Sequence, residues 1–411
     1  MSRVFAVLFL GLTGLAASPL YADSLALSDA IRLTLANNPQ MATGQSLRQA
    51  AEGRVQQAGT LPNPQVGYLL ENFSGSSGRS AGSATSTWSL SQPVITAGKR
   101  GARQALASGE RDLVATQVSM TRARLIRRVR ESYVDVLASE ERQAATERQL
   151  NLAQQLRDAV SARVTAGKVS PIELARAGVA LAAARRVQRQ AAQEATLARR
   201  QLASLWGAEG VQTSLVDVLM LPTALAAYPE APDDSPALRE ARSRVRREQS
   251  AVTLAEAQRI PDFTLTAGMK REPVLREDSV LLGVTVPIPL FDRNQGARRA
   301  AQADLGAAES SLLDAVQSVQ RQRDSLLVQR TASYQEAMQL RDDVLEVASQ
   351  ALEATREGYR AGKFSLIDLL DAQRGLIEAQ NAYLAARVSF HKSEAALDEL
   401  LGREPYPEIA P

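Results

Sequence analysis

Four short segments of the chain alternate apolar and polar residues with a period of two, the pattern of a strand with one apolar face. The more regular pair has apolar residues at Phe263, Leu265, Ala267 and Met269, then at Val280, Leu282, Val284 and Val286. The earlier pair is less regular, with Val66, Tyr68 and Leu70 followed by Trp88 and Leu90. Prolines bracket both pairs. The pattern predicts two β-hairpins, at residues 64–94 and 263–289.

Two stretches without internal proline, residues 98–165 and 294–360, are rich in residues that favour helix. Apolar residues in the first stretch recur every three, four or seven positions, at Leu106, Leu113, Val114, Val118, Leu125, Val129, Val136 and Leu137. A helix of this length spans roughly 100 Å. The pattern therefore predicts two long, uninterrupted helices that pack as in coiled coils, with alanines permitting close approach.

Shorter helical stretches accompany each long one. We expect a helix before each hairpin, at residues 28–59 and 236–259, and a return helix after each long helix, at residues 171–206 and 366–401. Stacked end to end, the short helices would match the long ones in length. We expect 366–401 to meet 28–59 and 171–206 to meet 236–259, which gives four columns in total.

The chain also contains an internal duplication. The motif AGKVSPIELARAGVAL begins at Ala166 and AGKFSLIDLLDAQRGL begins at Ala361, a constant offset of 195 residues that continues without a gap to Gly402. A repeat of this size predicts two similar halves. The predicted boundaries are a signal peptide at 1–22, a first repeat at 23–207, a connector at 208–235, a second repeat at 236–402 and a tail at 403–411.

The first residues have the pattern of a secretory signal peptide. Arg3 precedes an apolar run, which is followed by small residues up to Ala22. The run is too short to span a membrane as a helix. We therefore expect the mature chain to leave the cytoplasm.

Composition excludes several classes of function. The 48 Lys and Arg residues and 45 Asp and Glu residues are interspersed along helical stretches, which is typical of solvated faces and not of a nucleic-acid-binding patch. With no Cys and a single His, His391, the chain has few transition-metal ligands. It contains no phosphate-binding glycine loop. We expect neither an enzyme nor a bound cofactor.

Both copies of the duplicated motif have the residues of a tight helical turn. Gly167 and Gly362 suit the left-handed end of a helix. Ser170 and Ser365 are predicted N-caps, and Glu173 and Asp368, three residues on, are expected to complete capping boxes. Local structure accounts for these positions without any function.

Asp371 is not explained by capping. It lies three residues after Asp368, so both carboxylates share one side of the first helical turn, whereas the first copy has Arg176 at this position. If several copies surround an axis, the pair forms a ring of negative charge that attracts cations. A solvated helix face is the alternative.

The predicted strands have the length needed to cross a bilayer. Segments of about ten residues span it at a tilt, and alternation suits lipid on one side and water on the other. Four strands cannot close a barrel, and lipid does not tolerate open edges, so a membrane role requires several copies. A small soluble sheet that caps a helical bundle is the alternative.

Several motifs together resemble one known family. They are the duplicated AGK-x-S turns, the strand entries LPNPQVGY and RIPDFTLTAG, and the strand-to-helix exits SQPVITAGKRGAR and PIPLFDRNQGARRA. These look like the TolC superfamily of outer-membrane efflux channels, and the exits are most similar to the CzcC-type heavy-metal branch. The resemblance implies a mainly α fold with a transmembrane β part, assembled as a homotrimer with a twelve-stranded barrel above twelve helical columns.

The resemblance also implies roles for the turns, at the periplasmic end of the molecule. There the family docks a periplasmic adaptor and, through it, an inner-membrane pump of the resistance-nodulation-division class. The docking tips would be Gly167, Lys168, Val169, Ser170, Gly362, Lys363, Phe364 and Ser365. In the family, an acidic pair narrows the periplasmic entrance of the tunnel, and Asp368 and Asp371 match that pair. Tyr359 and Glu173 match positions that latch the closed state of the TolC-type channels. Phe364 departs from this pattern, because the TolC-type channels have an arginine at the equivalent position, and that arginine is part of the latch.

The leading functional hypothesis is a passive exit duct for divalent heavy-metal cations, set in the outer membrane and contacting its lipid. Drug efflux and type I protein secretion through the same kind of channel are alternatives. A soluble periplasmic coiled-coil or adaptor protein would explain the helices, although not the amphipathic strand pairs.

Overall fold

The structure is a computed structural model that describes residues 24–72, 84–211, 213–228, 235–273 and 275–403. The predicted signal peptide lies outside the described residues, as do residues 404–411 of the predicted tail. No helix in these ranges is long and apolar enough to cross a membrane.

Four strands form one antiparallel sheet. They are β2 (Gln65–Glu71), β3 (Thr85–Val94), β5 (Phe263–Glu272) and β6 (Glu277–Thr285), and they lie in the order β2-β3-β5-β6. The two hairpins are therefore joined side by side through β3 and β5. Strands β2 and β6 are left as edges that pair on one side only.

The two faces of this sheet differ sharply, which confirms the predicted alternation. Tyr68, Trp88, Met269 and Val280 lie in one row across all four strands, and each is more than half exposed. The opposite face carries mainly hydroxyl side chains and glycines, and Ser91 and Thr266 hydrogen-bond across strands there at 3.0 Å. A Cβ at Gly268 would lie 2.6 Å from the carbonyl oxygen of Trp88, so this position requires glycine. The sheet thus has one apolar face and one polar face.

The first long helix is continuous. Helix α3 (Lys99–Thr165) contains 67 residues, and its buried positions include several alanines besides Leu125, Val129 and Val136. The predicted second long helix is also helical throughout, but it is not α-helical over its whole length. Helix α6 (Gln295–Gln339) passes into a π-helical turn, Leu340–Val344, before α7 (Leu345–Arg360) continues to the second duplicated turn. Helical periodicity does not distinguish a five-residue π turn from an α-helix.

The single helix predicted at 28–59 is wrong, because the structure has two helices there. Helix α1 (Leu27–Asn37) ends before Asn38, whose backbone is extended, and α2 (Pro39–Ala58) begins at the proline. The ring of Pro39 disfavours the helical conformation for the residue before it, Asn38, and this explains the break. Asn38 then caps α2, because its Oδ1 accepts a hydrogen bond from the backbone N–H of Gln40 at 2.9 Å.

The helical columns assemble within each repeat, so the predicted stacking between repeats is wrong. Return helix α4 (Pro171–Ser204) ends where α2 begins, and Asn38 Nδ2 donates to the Leu205 carbonyl at 2.7 Å. In the second repeat, α8 (Leu366–Leu401) ends beside the start of α5 (Pro236–Ala257), because Gly402 and Pro236 line the same cavity. Each repeat thus completes its own composite column.

The segment between the repeats is fastened to the middle of the helical part. A short parallel ladder pairs β1 (Ser24–Leu25) with β4 (Ser214–Leu215). Farther along, Arg387 donates to the Leu219 carbonyl at 3.1 Å, and Arg330 donates to the Ala226 carbonyl at 3.2 Å while it pairs with Glu394. Arg330 is almost fully buried, so its bonds hold both the connector and α8 in place.

Candidate functional site at the duplicated turns

The two duplicated turns share one backbone conformation. Gly167 and Gly362 have φ angles of +69° and +76°, the left-handed region that favours glycine. The N–H of Lys168 donates to the Arg163 carbonyl at 2.9 Å, and that of Lys363 donates to the Gly358 carbonyl at 2.8 Å. These bonds close each helix end and confirm the predicted role of both glycines.

The caps of the following helices differ. Ser365 forms the predicted capping box, since its N–H donates to Asp368 Oδ2 at 2.8 Å and its Oγ accepts from the Asp368 N–H at 3.3 Å. Hydrogen bonds from Ser365 hold the pKa of the Asp368 carboxyl below its usual value. The box predicted at Ser170 is wrong. Its Oγ accepts from the Ile172 N–H, and the Glu173 carboxylate points elsewhere.

Glu173 instead contacts the other repeat. The Tyr359 hydroxyl donates to Glu173 Oε2 at 3.4 Å, and the Tyr359 ring is buried against Val160, Ala177 and Leu366. Burial, with a smaller contribution from the Glu173 charge, raises the pKa of Tyr359. The ends of α3, α4, α7 and α8 therefore meet in one apolar cluster around Tyr359.

Arg163 belongs to this contact and was not among the predicted site residues. Its guanidinium lies 4.9 Å from the centroid of the Tyr359 ring and donates to the Tyr359 carbonyl at 3.3 Å. Arg163 is equivalent to Gly358 in the second repeat, because the two positions are 195 residues apart. This difference between the two copies is the signal in the sequence that could have identified Arg163. The cation beside Tyr359 therefore comes from the first repeat.

Phe364 packs over Gly358 at the second tip. A Cβ at position 358 would lie 2.0 Å from the ring, so the ring position depends on this glycine. The ring is nevertheless 49% exposed, and Lys363 and Lys168 beside the two glycines are exposed as well. Both tips therefore present a glycine, a lysine and an apolar side chain at their ends.

The two acidic residues of the second turn are exposed and have separate partners. Asp368 is bonded to Ser365, whereas Asp371 lies 3.7 Å from Arg374 with both side chains at least 70% exposed. An ion pair in that setting is weak, so Arg374 offsets little of the negative charge of Asp371. Across the described residues, no group of three or more His, Cys, Asp or Glu residues is arranged to hold a metal ion.

Comparison with known proteins agrees with the two-repeat structure. The chain matches the model of the outer membrane efflux protein family over residues 30–208 and 227–403. It is 30% identical to the cobalt-zinc-cadmium resistance protein CzcC of Cupriavidus metallidurans, across 93% of this chain and 91% of that protein. It is 29% identical to the nickel-cobalt-cadmium resistance protein NccC of Alcaligenes xylosoxydans xylosoxydans, across 92% of this chain and 86% of that protein.

The fold has a clear counterpart among solved structures. The outer membrane protein VceC of Vibrio cholerae superposes with a TM-score of 0.78 at 18% identity, across 92% of this chain and 97% of that one. The TolC-like fold predicted from the sequence is thereby confirmed. The chain belongs to the outer membrane efflux protein family, whose members are outer-membrane channels and not enzymes.

Proposed function

We propose that this protein is the outer-membrane exit duct of a tripartite efflux system that carries divalent heavy-metal cations out of the cell. The observation that supports a duct is the sheet with one apolar and one polar face, set at the end of helices roughly 100 Å long. The cargo is proposed from the relatives, because CzcC and NccC are named for resistance to cobalt, zinc, cadmium and nickel.

The proposed assembly is a homotrimer. Four strands with two open edges leave backbone groups unpaired, which lipid does not tolerate, whereas three copies supply twelve strands for a closed barrel. The exposed row from Tyr68 to Val280 then faces lipid, and the hydroxyl face lines the lumen. Four columns from each copy continue the duct below the membrane.

The proposed partners meet the duct at its duplicated turns. A periplasmic adaptor would dock on the exposed glycine, lysine and apolar side chains of the two tips, and an inner-membrane pump of the resistance-nodulation-division class would supply the energy. The tip residues are Gly167, Lys168, Val169, Ser170, Gly362, Lys363, Phe364 and Ser365. The duct itself needs no energy source, because it provides only a closable, water-filled path.

The proposed gate lies beside these tips. Asp368 and Asp371 would form a ring of carboxylates around the axis of the trimer, which concentrates cations and excludes anions. Tyr359 and Glu173 would hold the two repeats together in the closed form, through their 3.4 Å hydrogen bond and the cluster around the ring. Separation of that contact would free α7 and α8 to move.

Deletion of the gene tests the cargo. A deletion strain should lose tolerance to zinc, cadmium, cobalt or copper and keep its tolerance to hydrophobic drugs, and the intact gene should restore the loss. Sensitivity to drugs without sensitivity to metals would contradict the metal assignment and favour drug efflux. A strain that fails only to export a protein would favour type I secretion.

A further inference from the structure

The two outermost helical columns carry opposite charges in the half nearest the turns. Helix α4 exposes four arginines there, and the π turn with α7 exposes five acidic residues. The arginines are Arg176, Arg185, Arg186 and Arg189, of which Arg185 donates to Gln154 of α3 at 3.1 Å. The acidic residues are Asp342, Asp343, Glu346, Glu353 and Glu357, of which Asp342 pairs with Arg341 and Glu353 pairs with Arg356. We name these sets the basic stripe and the acidic stripe.

The order of the columns places the stripes at opposite edges of the chain. Helix α3 packs against α4 on one side and α8 on the other, and α8 in turn packs against α6 and α7. The ion pairs of α4, such as Arg199–Glu140, run inward to α3. Within the part of the chain that the structure describes, α4 packs extensively only against α3, and α7 only against α8 and the π turn that precedes it, so each has one outer flank free of extensive helix packing.

The stripes also lie at the same height above the turns. The Glu173–Tyr359 hydrogen bond marks one level shared by α4 and α7. Thirteen residues farther from the tip on each helix are Arg186 and Glu346, and sixteen residues farther are Arg189 and Asp343. Because both helices rise about 1.5 Å per residue, opposite charges are level with each other roughly 20 Å above that contact.

We propose that the acidic stripe of one copy packs against the basic stripe of a second copy. This inference rests on the proposed ring of copies and names the surfaces that join them. The sheet supports the same pairing, because α2 leads into edge strand β2 and edge strand β6 leads into α6. A single neighbouring copy can therefore pair its β6 edge with the β2 edge of this chain and place its acidic stripe against the basic stripe.

The arrangement specifies orientation as well as contact. A basic edge meeting an acidic edge is a head-to-tail interface, which closes into a ring when the rotation fits. Two basic edges or two acidic edges repel, so face-to-face dimers of the chain are disfavoured. Each exposed ion pair contributes little alone, but a row of several fixes the register of one copy against the next.

Cross-linking between differently tagged copies tests the contact directly, since the chain has no native cysteine. One copy carries Arg189→Cys, the other Asp343→Cys, and the co-assembled protein is treated with a short bismaleimide. We expect a linked pair that contains both tags. The matched control replaces Arg189→Cys with Arg148→Cys, an exposed arginine one column inward on α3, and should not link.

The outcomes separate this inference from the proposed function. Trimers in which the stripe pair fails to link, or in which the control links equally well, contradict the stripe contact alone. A chain that stays monomeric in detergent and in membranes contradicts the ring of copies on which the proposed duct depends.

Charge reversal gives a second, independent readout. Arg186→Glu with Arg189→Glu should lower the trimer fraction at low salt roughly tenfold, because attraction becomes repulsion. Adding Asp343→Arg and Glu346→Arg should restore it. The control, Arg148→Glu with Arg157→Glu, changes the net charge equally and should leave the trimer intact. Equal loss in both reversed variants, or no restoration, would overturn the proposal.

Discussion

The two duplicated turns have the same backbone and different side-chain contacts. Both end a helix on a left-handed glycine and begin the next helix at a serine cap. In the first turn Glu173 and Arg163 reach across to Tyr359 of the other repeat. In the second turn Asp368 stays within its own cap, and Gly358 makes room for Phe364.

This difference shows where a duplicated structure is free to diverge. The glycine and serine are fixed by local geometry, so both copies keep them. Residues at the contact between the repeats have no symmetric partner within the chain. There the copies differ, as with Arg163 against Gly358 and Val164 against Tyr359. The helices leading in differ too, because α3 is continuous and α7 follows a π turn, a feature that commonly bends helices.

Truncation of Tyr359 should break the contact between the turns most severely. Tyr359→Ala removes a buried ring from the shared cluster, which should cost about 3–5 kcal/mol of local stability. The matched variant Val164→Ala, at the equivalent position of the first repeat, should cost much less because the side chain is smaller and half-buried. Hydrogen exchange of residues 352–370 measures both. Equal exchange in the two variants would contradict the asymmetry.

A methyl group at Gly358 should displace Phe364. Gly358→Ala puts a carbon 2.0 Å from the ring, so the ring must leave its place, at a cost of about 1–3 kcal/mol. Phe364→Ala combined with Gly358→Ala should recover most of that loss. Thermal unfolding in detergent measures the effect. A double variant no more stable than Gly358→Ala alone would show that the overlap is not the cause.

Loss of the hydrogen bond between the turns should have a smaller effect. Tyr359→Phe removes only the hydroxyl that donates to Glu173, which should cost about 0.5–1.5 kcal/mol and leave the apolar cluster in place. Glu173→Gln should change hydrogen exchange at α7 as much as at α4. A change confined to α4 would mean that Glu173 acts only as a local residue of its own helix.

Acid should loosen the second cap and spare the first. The folded-state pKa of Asp368 is depressed below 3.8, so its stabilisation is complete above that value and is lost as pH falls through the depressed pKa. Exchange at the start of α8 should therefore rise at low pH, and Asp368→Asn should abolish that pH dependence. The start of α4 is the internal control, because Glu173 does not bond to Ser170. An equal rise at both helices would contradict the assignment.

The sequence predicts the regular parts of this fold well. Period-two alternation locates all four strands of the sheet, and the glycine and serine positions locate both turns. The breaks at Asn38 and at the π turn depend on one proline and one change of hydrogen bonding within otherwise helical patterns. Which two short helices stack end to end depends on contacts such as the hydrogen bond from Asn38 to the Leu205 carbonyl. The spacing of apolar residues along the sequence contains no information about such contacts.

The same limit applies to the site. Tyr359 and Glu173 were predicted as partners from the resemblance, and the structure brings them within hydrogen-bond distance. Arg163 was missed because an arginine on a charged helix is common, and only its position over the Tyr359 ring distinguishes it. Whether Asp368 and Asp371 face the lumen depends on neighbouring copies, so their role as a gate stays a prediction.

Conductance in planar bilayers tests the proposed gate most directly. The variant with Asp368→Ala and Asp371→Ala should conduct more at rest and discriminate less between cations and anions than the wild-type channel, because the ring of charge is gone. The control with Asp304→Ala and Asp314→Ala removes two exposed carboxylates of α6, far from the turns, and should match the wild type. Unchanged conductance and selectivity in the Asp368 and Asp371 variant would contradict a gate at the second turn.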